Sequence, residues 1–159
     1  MKISIRRALP ADAKIIAGFN RAIASETEGV KLDSKRVLKG VRALLRDESK
    51  GFYLVAEIEG KIAGQLMITY EWSDWRNSTF WWIQSVYVAP GFRGAGVFTQ
   101  LFRHIEKEAM RRKSVCGLRL YVEGENSRAR KIYERLGMSK AAYEMYETDF
   151  VLKRPAKHR

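Results

Sequence analysis

Residues 86–100 place the tightest constraint on the fold. Apolar Val86, Tyr87 and Val88 run into Pro90-Gly91-Phe92-Arg93-Gly94-Ala95-Gly96. The chain then continues with Val97, Phe98, Leu101, Phe102, Ile105 and Ala109 at helical spacing. A strand, a glycine-rich loop and a helix in direct succession require a layered fold with the helix laid on a sheet. The same unit suits a pyrophosphate. The first turn of a helix has N–H groups without intrahelical acceptors and carries the positive end of the dipole. Gly94 and Gly96 have no side chain to hold a phosphate off the backbone. A Rossmann fingerprint does not fit, because Phe98 stands where a further small residue is needed, and a P-loop needs a Gly-Lys-Ser/Thr that is absent.

The flanking elements follow from periodicity. Ile3 and Ile5 alternate with polar residues, so residues 1–8 read as a strand. Pro10 opens a helix bearing Ile15, Ile16 and Phe19 that frays near Gly29; Asp33 or Ser34 caps a second with Val37, Leu38, Val41, Leu44 and Leu45. Residues 52–59 and 62–72 read as a hairpin turning at Gly60-Lys61, and residues 79–88 as a strand apolar on both faces, hence central. Residues 118–122 read as another strand, and 126–136 as a short helix capped by Asn126 and stopped by Gly137. Residues 141–152 are expected to supply the final strand or strands. Strand, two helices, three strands, helix, strand, helix, strand describes an α/β or α+β protein with helices on a mixed sheet.

Composition narrows the class. The 159 residues suffice for one domain, read as residues 1–152 with a basic tail at 153–159. With 46% hydrophobic residues and no repeat or low-complexity run, the chain is globular. The N-terminus is too polar for a signal peptide and no window is apolar enough to span a membrane, which points to the cytoplasm. A single cysteine, Cys116, forbids an internal disulfide and reads as an inert thiol in an apolar run. A net charge of +12 favours polyanionic partners, among them nucleic acid, acidic lipid and phosphate-bearing cofactors. Basic residues are scattered rather than striped, so nucleic acid is the weaker reading. No metal-ligand spacing is present, and neither His104 nor His158 is placed as a catalyst.

A second motif lies downstream, Asn126-Ser127-Arg128-Ala129-Arg130-Lys131-Ile132-Tyr133-Glu134-Arg135-Leu136-Gly137-Met138. It resembles the Asn-x-x-Ala-x-x-x-Tyr-x-x-x-Gly-Phe/Met segment of the GNAT N-acetyltransferase superfamily. The loop at Arg93, Gly94, Ala95, Gly96, Val97 and Phe98 is similar to that family's Gln/Arg-x-x-Gly-x-Gly/Ala loop. Phe98 departs from it by replacing a small residue. The resemblance implies a largely antiparallel sheet of about six to seven strands flanked by helices. It implies acetyl-CoA as acyl donor, with Val86, Tyr87 and Val88 offering backbone groups to the pantetheine arm. The N–H groups of residues 93–98 would hold the pyrophosphate, and Asn126 would bond along the cofactor. Tyr133 would protonate the departing thiolate. The chemistry agrees, since a phenol with pKa of about 10 suits a thiol of comparable basicity. Taken alone, Tyr133 also fits a core position beside Ile132 and Leu136, and Asn126 a simple helix cap.

Acyl transfer to nitrogen needs a neutral amine and an acceptor for its proton. The central strand offers only Gln84 and Ser85, so Glu71, on the preceding strand, is placed with Tyr133 among the catalytic candidates, with Asp74 nearby. Glu26 and Glu28 are candidates to bind the acceptor, as is Trp75, the one tryptophan in a polar loop. The acceptor itself stays open between polyamines, amino acids, aminoglycosides, protein N-termini and lysines, and a homodimer is open too. The competing readings are a non-catalytic nucleic-acid-binding protein and a CoA sensor on the same fold.

Overall fold

Short connections build the sheet one strand at a time. In the computed structural model, which describes residues 1–153, β1 (Ser4–Arg7) pairs antiparallel with β2 (Phe52–Ile58). β2 pairs with β3 (Lys61–Ser73) and β3 with β4 (Ser78–Val88), again antiparallel. The β2–β3 turn is Glu59-Gly60, one residue earlier than the sequence suggested. Both residues have positive φ, 50° and 74°, as a tight two-residue hairpin requires. β5 (Val115–Arg119) lies parallel to β4 and completes the order β1-β2-β3-β4-β5.

The expected mixed, largely antiparallel sheet is present, with five strands among the described residues rather than six or seven. One boundary moves and one expected region is missing, and only the second changes the count. The strand placed at 118–122 starts earlier, at Val115, because Gly117 lets the chain lie against the Phe80 ring. A Cβ there would meet Phe80 Cε1 at 2.8 Å. Residues 139–153 form neither helix nor strand, so the closing strands expected at 141–152 are absent.

Alternation along the strands sorts the helices onto two faces. Tyr53 and Val55 of β2 face α1 (Ala13–Glu28) and α2 (Ser34–Leu45), forming a core with Ala13, Ile16, Ala17, Val41 and Leu44. α1 ends at Gly29 in the left-handed conformation (φ 64°), and α2 begins where the Asp33 carboxylate accepts from Arg36 N–H at 2.7 Å. On the other face Gly64 meets Val97, the first residue of α3 (Val97–Met110). Val97, Leu101, Phe102, Ile105 and Ala109 form the buried stripe of that helix. Each large side chain of the stripe contributes about 1.5–3 kcal/mol by leaving water.

The chain divides into two compact units, Met1–Tyr121 and Val122–Arg159. The second contains α4 (Ser127–Arg135), capped by Asn126 Oδ1 accepting from Ala129 N–H at 3.0 Å and ended by Gly137 at φ 92°. The basic tail lies outside the described residues from Arg154 onward. Among the described residues no helix is long and apolar enough to cross a membrane, and no cluster of His, Cys, Asp and Glu is placed to hold a metal ion.

Candidate functional site

β5 pairs with β4 only from Thr79 to Trp82, so residues 83–88 of β4 have an outer edge that carries no strand. Ala89 donates its N–H to the Ala63 carbonyl on the β3 side at 2.9 Å. Successive residues of a strand address opposite edges, so Val88 turns its polar groups outward, where Arg93 Nε reaches its carbonyl at 3.0 Å. An extended, amide-bearing ligand can add to such an edge as a strand does.

The end of β4 leads through a single helical turn, Pro90–Phe92, into Gly94 and Gly96, both left-handed (φ 80° and 77°). A Cβ at either would meet nothing within 4 Å, so these glycines are required by backbone conformation and the space above them is open. The first intrahelical bond of α3 is Gln100 N–H to Gly96 carbonyl at 3.0 Å, so the N–H groups of the preceding turn lie at the positive end of the helix. Phe98 is half-buried and packs against Phe102, with ring centroids 6.2 Å apart. Its bulk is thus directed along the helix. Open edge, glycine turn and helix start together fit a thioester on a pantetheine arm with a pyrophosphate at its far end.

Two polar clusters flank this edge. Tyr87 donates its hydroxyl to Glu26 Oε1 at 2.8 Å, and Arg93 bonds Glu26 Oε2 at 2.8 Å while its guanidinium lies 5.4 Å from the Tyr87 ring centre. Tyr87 and Arg93 hold the Glu26 carboxyl below the usual carboxylate range. Burial, then Glu26, pushes the Tyr87 phenol up. Arg93 is thereby a bridge from the loop to α1, a role its place in the glycine motif does not reveal.

The second cluster is buried. Gln65, fully enclosed, donates from Nε2 to Asn20 Oδ1 at 2.8 Å and to the Ser85 carbonyl at 3.1 Å. Asn20 donates to the Tyr53 hydroxyl at 3.0 Å. Ser85 sits in a bulge of β4 with φ 49°, rare for a residue with a side chain. In a trans peptide the carbonyl and the following N–H point opposite ways, so a Ser85 carbonyl fixed on Gln65 aims the Val86 N–H away from it. Neither Gln65 nor the bulge was legible in the sequence, since no glycine marks the bulge and a lone glutamine in a strand carries no signal.

The structure gathers Val86, Tyr87, Val88, Arg93, Gly94, Ala95, Gly96, Val97, Phe98 and Glu26 at one end of β4. Glu28 is exposed two residues further along α1. Glu71 and Trp75 are not brought there. Glu71 pairs with Arg119 at 2.9 Å and accepts from the Trp82 indole at 2.7 Å. Those partners hold its carboxyl below the usual range, Trp82 foremost, which makes it a poor proton acceptor. It lies opposite Phe80, four residues along β3 from Met67, or about 13 Å from the bulge. Trp75, 85% exposed, caps the β3–β4 hairpin, roughly 33 Å of strand from Val88. A hairpin directs its tip away from the ends of its strands, which is why proximity in sequence misplaced both. In the second unit, Asn126 and Tyr133 lie seven residues apart, on roughly one face of α4. Burial pushes the Tyr133 phenol up.

Comparison with known proteins agrees with this geometry. The family model for the acetyltransferase (GNAT) family matches residues 19–138. The crystal structure of a possible acetyltransferase from Clostridium difficile 630 is 47% identical and superposes with a TM-score of 0.87, covering 96% of this chain and 100% of that one. A predicted acetyltransferase with acetyl-CoA from Clostridium acetobutylicum is 16% identical with a TM-score of 0.75, covering 92% and 96% of the two chains. The ribosomal-protein-alanine N-acetyltransferase of Brucella melitensis biovar Abortus 2308 is 20% identical with a TM-score of 0.73, covering 94% and 100%. The last two speak for the fold alone.

Proposed function

Since the chain belongs to the GNAT acetyltransferase family and is an acetyl-CoA-dependent N-acetyltransferase, we propose that it passes the acetyl group directly to a primary amine. On this reading acetyl-CoA lies along residues 86–88 and 93–98. The observation that carries the reading is the strandless edge of β4 running into two open left-handed glycines at the start of α3.

Bound acetyl-CoA supplies an acyl group already activated as a thioester. The chain's own residues hold, orient and exchange protons. Backbone groups of Val86 and Val88 bind the amide-bearing arm, and the N–H groups at the start of α3 neutralise pyrophosphate charge. The amine releases one proton to solvent and attacks as the neutral base. A carbon–nitrogen bond forms as the carbon–sulfur bond breaks, Tyr133 protonates the leaving thiolate, and the proton lost by the new amide nitrogen returns to the Tyr133 phenolate by way of solvent. A phenol of ordinary pKa, about 10, is already protonated at neutral pH, and burial pushes that of Tyr133 further up, so the donor is loaded. Asn126, besides capping α4, presents its amide N–H groups to the cofactor. Glu26, anionic and fixed at the end of β4, draws a cationic amine toward the site, and Glu28 adds to that field.

The test is thiol release from acetyl-CoA against a panel of amines, with Tyr133→Phe beside the parent. The exchange removes one hydroxyl and keeps ring volume. We expect kcat to fall by about 10²–10⁴ while acetyl-CoA affinity changes little, as for an interaction made mainly in the transition state. Parental kcat with chemistry rate-limiting would remove Tyr133 from the mechanism. No thiol release with any amine would remove the function.

A further inference from the structure

The outward face of α2 is built from cations. Lys35, Arg36, Lys39, Arg42 and Arg46 are all exposed, while Val41 and Leu44 on the opposite face are buried in the core with α1 and β2. At about 100° per residue Lys35, Lys39, Arg42 and Arg46 fall within an arc of about 60°, and at about 1.5 Å per residue their row is about 16 Å long. Arg36 stands on its flank. Basic residues that look scattered along the sequence are thus aligned, because steps of four, three and four residues become a straight row once the segment is helical.

Nothing in the chain offsets this charge. Ser34–Leu45 contains no acidic residue, and none of the five cations is in an ion pair among the described residues. The carboxylates nearest in sequence are engaged elsewhere: Asp33 accepts the Arg36 backbone N–H, and Asp47 pairs with Lys50. α3 shows the ordinary arrangement, with Arg103 on Glu106 at 2.7 Å and Arg112, just past its end, on Glu108 at 3.0 Å. Like charges three and four residues apart destabilise a helix, and Lys35 and Arg36 in the first turn also oppose its dipole. Such a row is relieved only when an anionic partner neutralises it.

The chemistry of the row selects the partner. A protein interface is anchored by apolar or aromatic side chains at its centre, and the row has none. Insertion into a membrane surface needs a free apolar face, and that of α2 is already buried in the core. Single strands are held by stacking bases on aromatic rings, which α2 lacks altogether. A duplex needs only cations aligned with its phosphates. It carries one charge per about 1.7 Å of axis, so a straight row of about 16 Å meets several at once. We propose that α2 docks on the phosphate backbone of a nucleic-acid duplex through Lys35, Lys39, Arg42 and Arg46. All four lie in the first compact unit, Met1–Tyr121. This inference does not depend on the acyl-transfer reading, since α2 supplies none of the residues assigned to cofactor or amine, and either stands if the other fails.

Fluorescence anisotropy of the full chain with a short labelled DNA duplex, and with an RNA duplex of equal length, is the test. Both should bind, and neutralising four phosphates gives a slope of about −3.6 in log K against log salt. Lys39→Ala/Arg42→Ala should make that slope shallower by about 2. Affinity should fall roughly 30-fold near 0.15 M salt, the factor that two released counterions give relative to 1 M. Alanine preserves helix propensity, so the far-UV spectrum should not change. Arg103→Ala/Lys107→Ala on α3 removes the same charge and should leave slope and affinity nearly unchanged. Equal losses in the α2 and α3 variants would make the binding diffuse and overturn the proposal. So would a parent that binds neither duplex at physiological salt, a single strand held as tightly as the duplex, or phosphatidylserine vesicles held more tightly than either.

Discussion

At the scale of single residues, Gln65 is the most informative side chain. A buried amide costs free energy unless its hydrogen bonds are made; here Nε2 makes two, to Asn20 and to the Ser85 carbonyl, while Oε1 has no partner among the described residues. Gln65→Leu keeps the approximate volume and removes both. The Ser85 carbonyl and Asn20 Oδ1 would then lose a donor, costing about 1–3 kcal/mol in urea denaturation. The bulge should also relax from its φ of 49° and move the Val86 N–H. Misplacement on that scale lowers kcat by up to about 10², with KM for acetyl-CoA less affected. A variant destabilised but with parental kcat would make Gln65 a packing residue alone. Little of this was legible beforehand. Glu26 lies 61 residues from Tyr87 and 67 from Arg93, and their meeting depends on how α1 crosses the sheet. Local patterns do not encode that crossing. The glycine loop was legible because its backbone conformation needs particular residue types.

At the scale of elements, the β4–loop–α3 unit separates two reasons for a glycine. Gly96 is required by its φ of 77° and has open space around it, whereas Gly64 is required by contact. A Cβ on Gly64 would meet the Tyr87 carbonyl oxygen at 2.8 Å and Val97 Cγ1 at 2.9 Å. Gly96→Ala should cost about 1–2 kcal/mol, the penalty of the left-handed conformation. Gly64→Ala should cost about 1–3 kcal/mol as overpacking and, by pushing Tyr87 and Val97 apart, should raise KM for acetyl-CoA as well. Denaturation midpoints and KM values measured on both variants check this, and a Gly64→Ala protein matching the parent in both would refute the contact argument. Helices and hairpins were legible because their periodicity, caps and turns are local. β5 began three residues early because Gly117 answers to Phe80, a tertiary contact. The 141–152 segment misled because strand propensity does not supply a pairing partner.

At the scale of the whole molecule, the net charge of +12 supports two rival accounts of any polyanion that binds. A diffuse basic surface holds polyanions through counterion release, with affinity falling steeply in salt and little dependence on one residue. A built site holds acetyl-CoA through backbone groups at one helix start, so one substitution there should abolish it. Thermal unfolding separates the accounts. A ligand at 100 times its Kd that binds only the folded state adds about 2.7 kcal/mol. For a chain of this size that raises Tm by roughly 5–10 °C. We expect acetyl-CoA to give this shift at moderate salt and inorganic sulfate at equal ionic strength to give almost none. Gly96→Glu, which brings bulk and negative charge to the open face of the loop, should fold with a Tm lowered by the left-handed strain and lose the acetyl-CoA shift. Duplex DNA or RNA, if it protects at all, should protect that variant as well as the parent, because diffuse charge does not depend on residue 96. An acetyl-CoA shift equal in Gly96→Glu and the parent would place the cofactor elsewhere and leave the basic surface as its only hold.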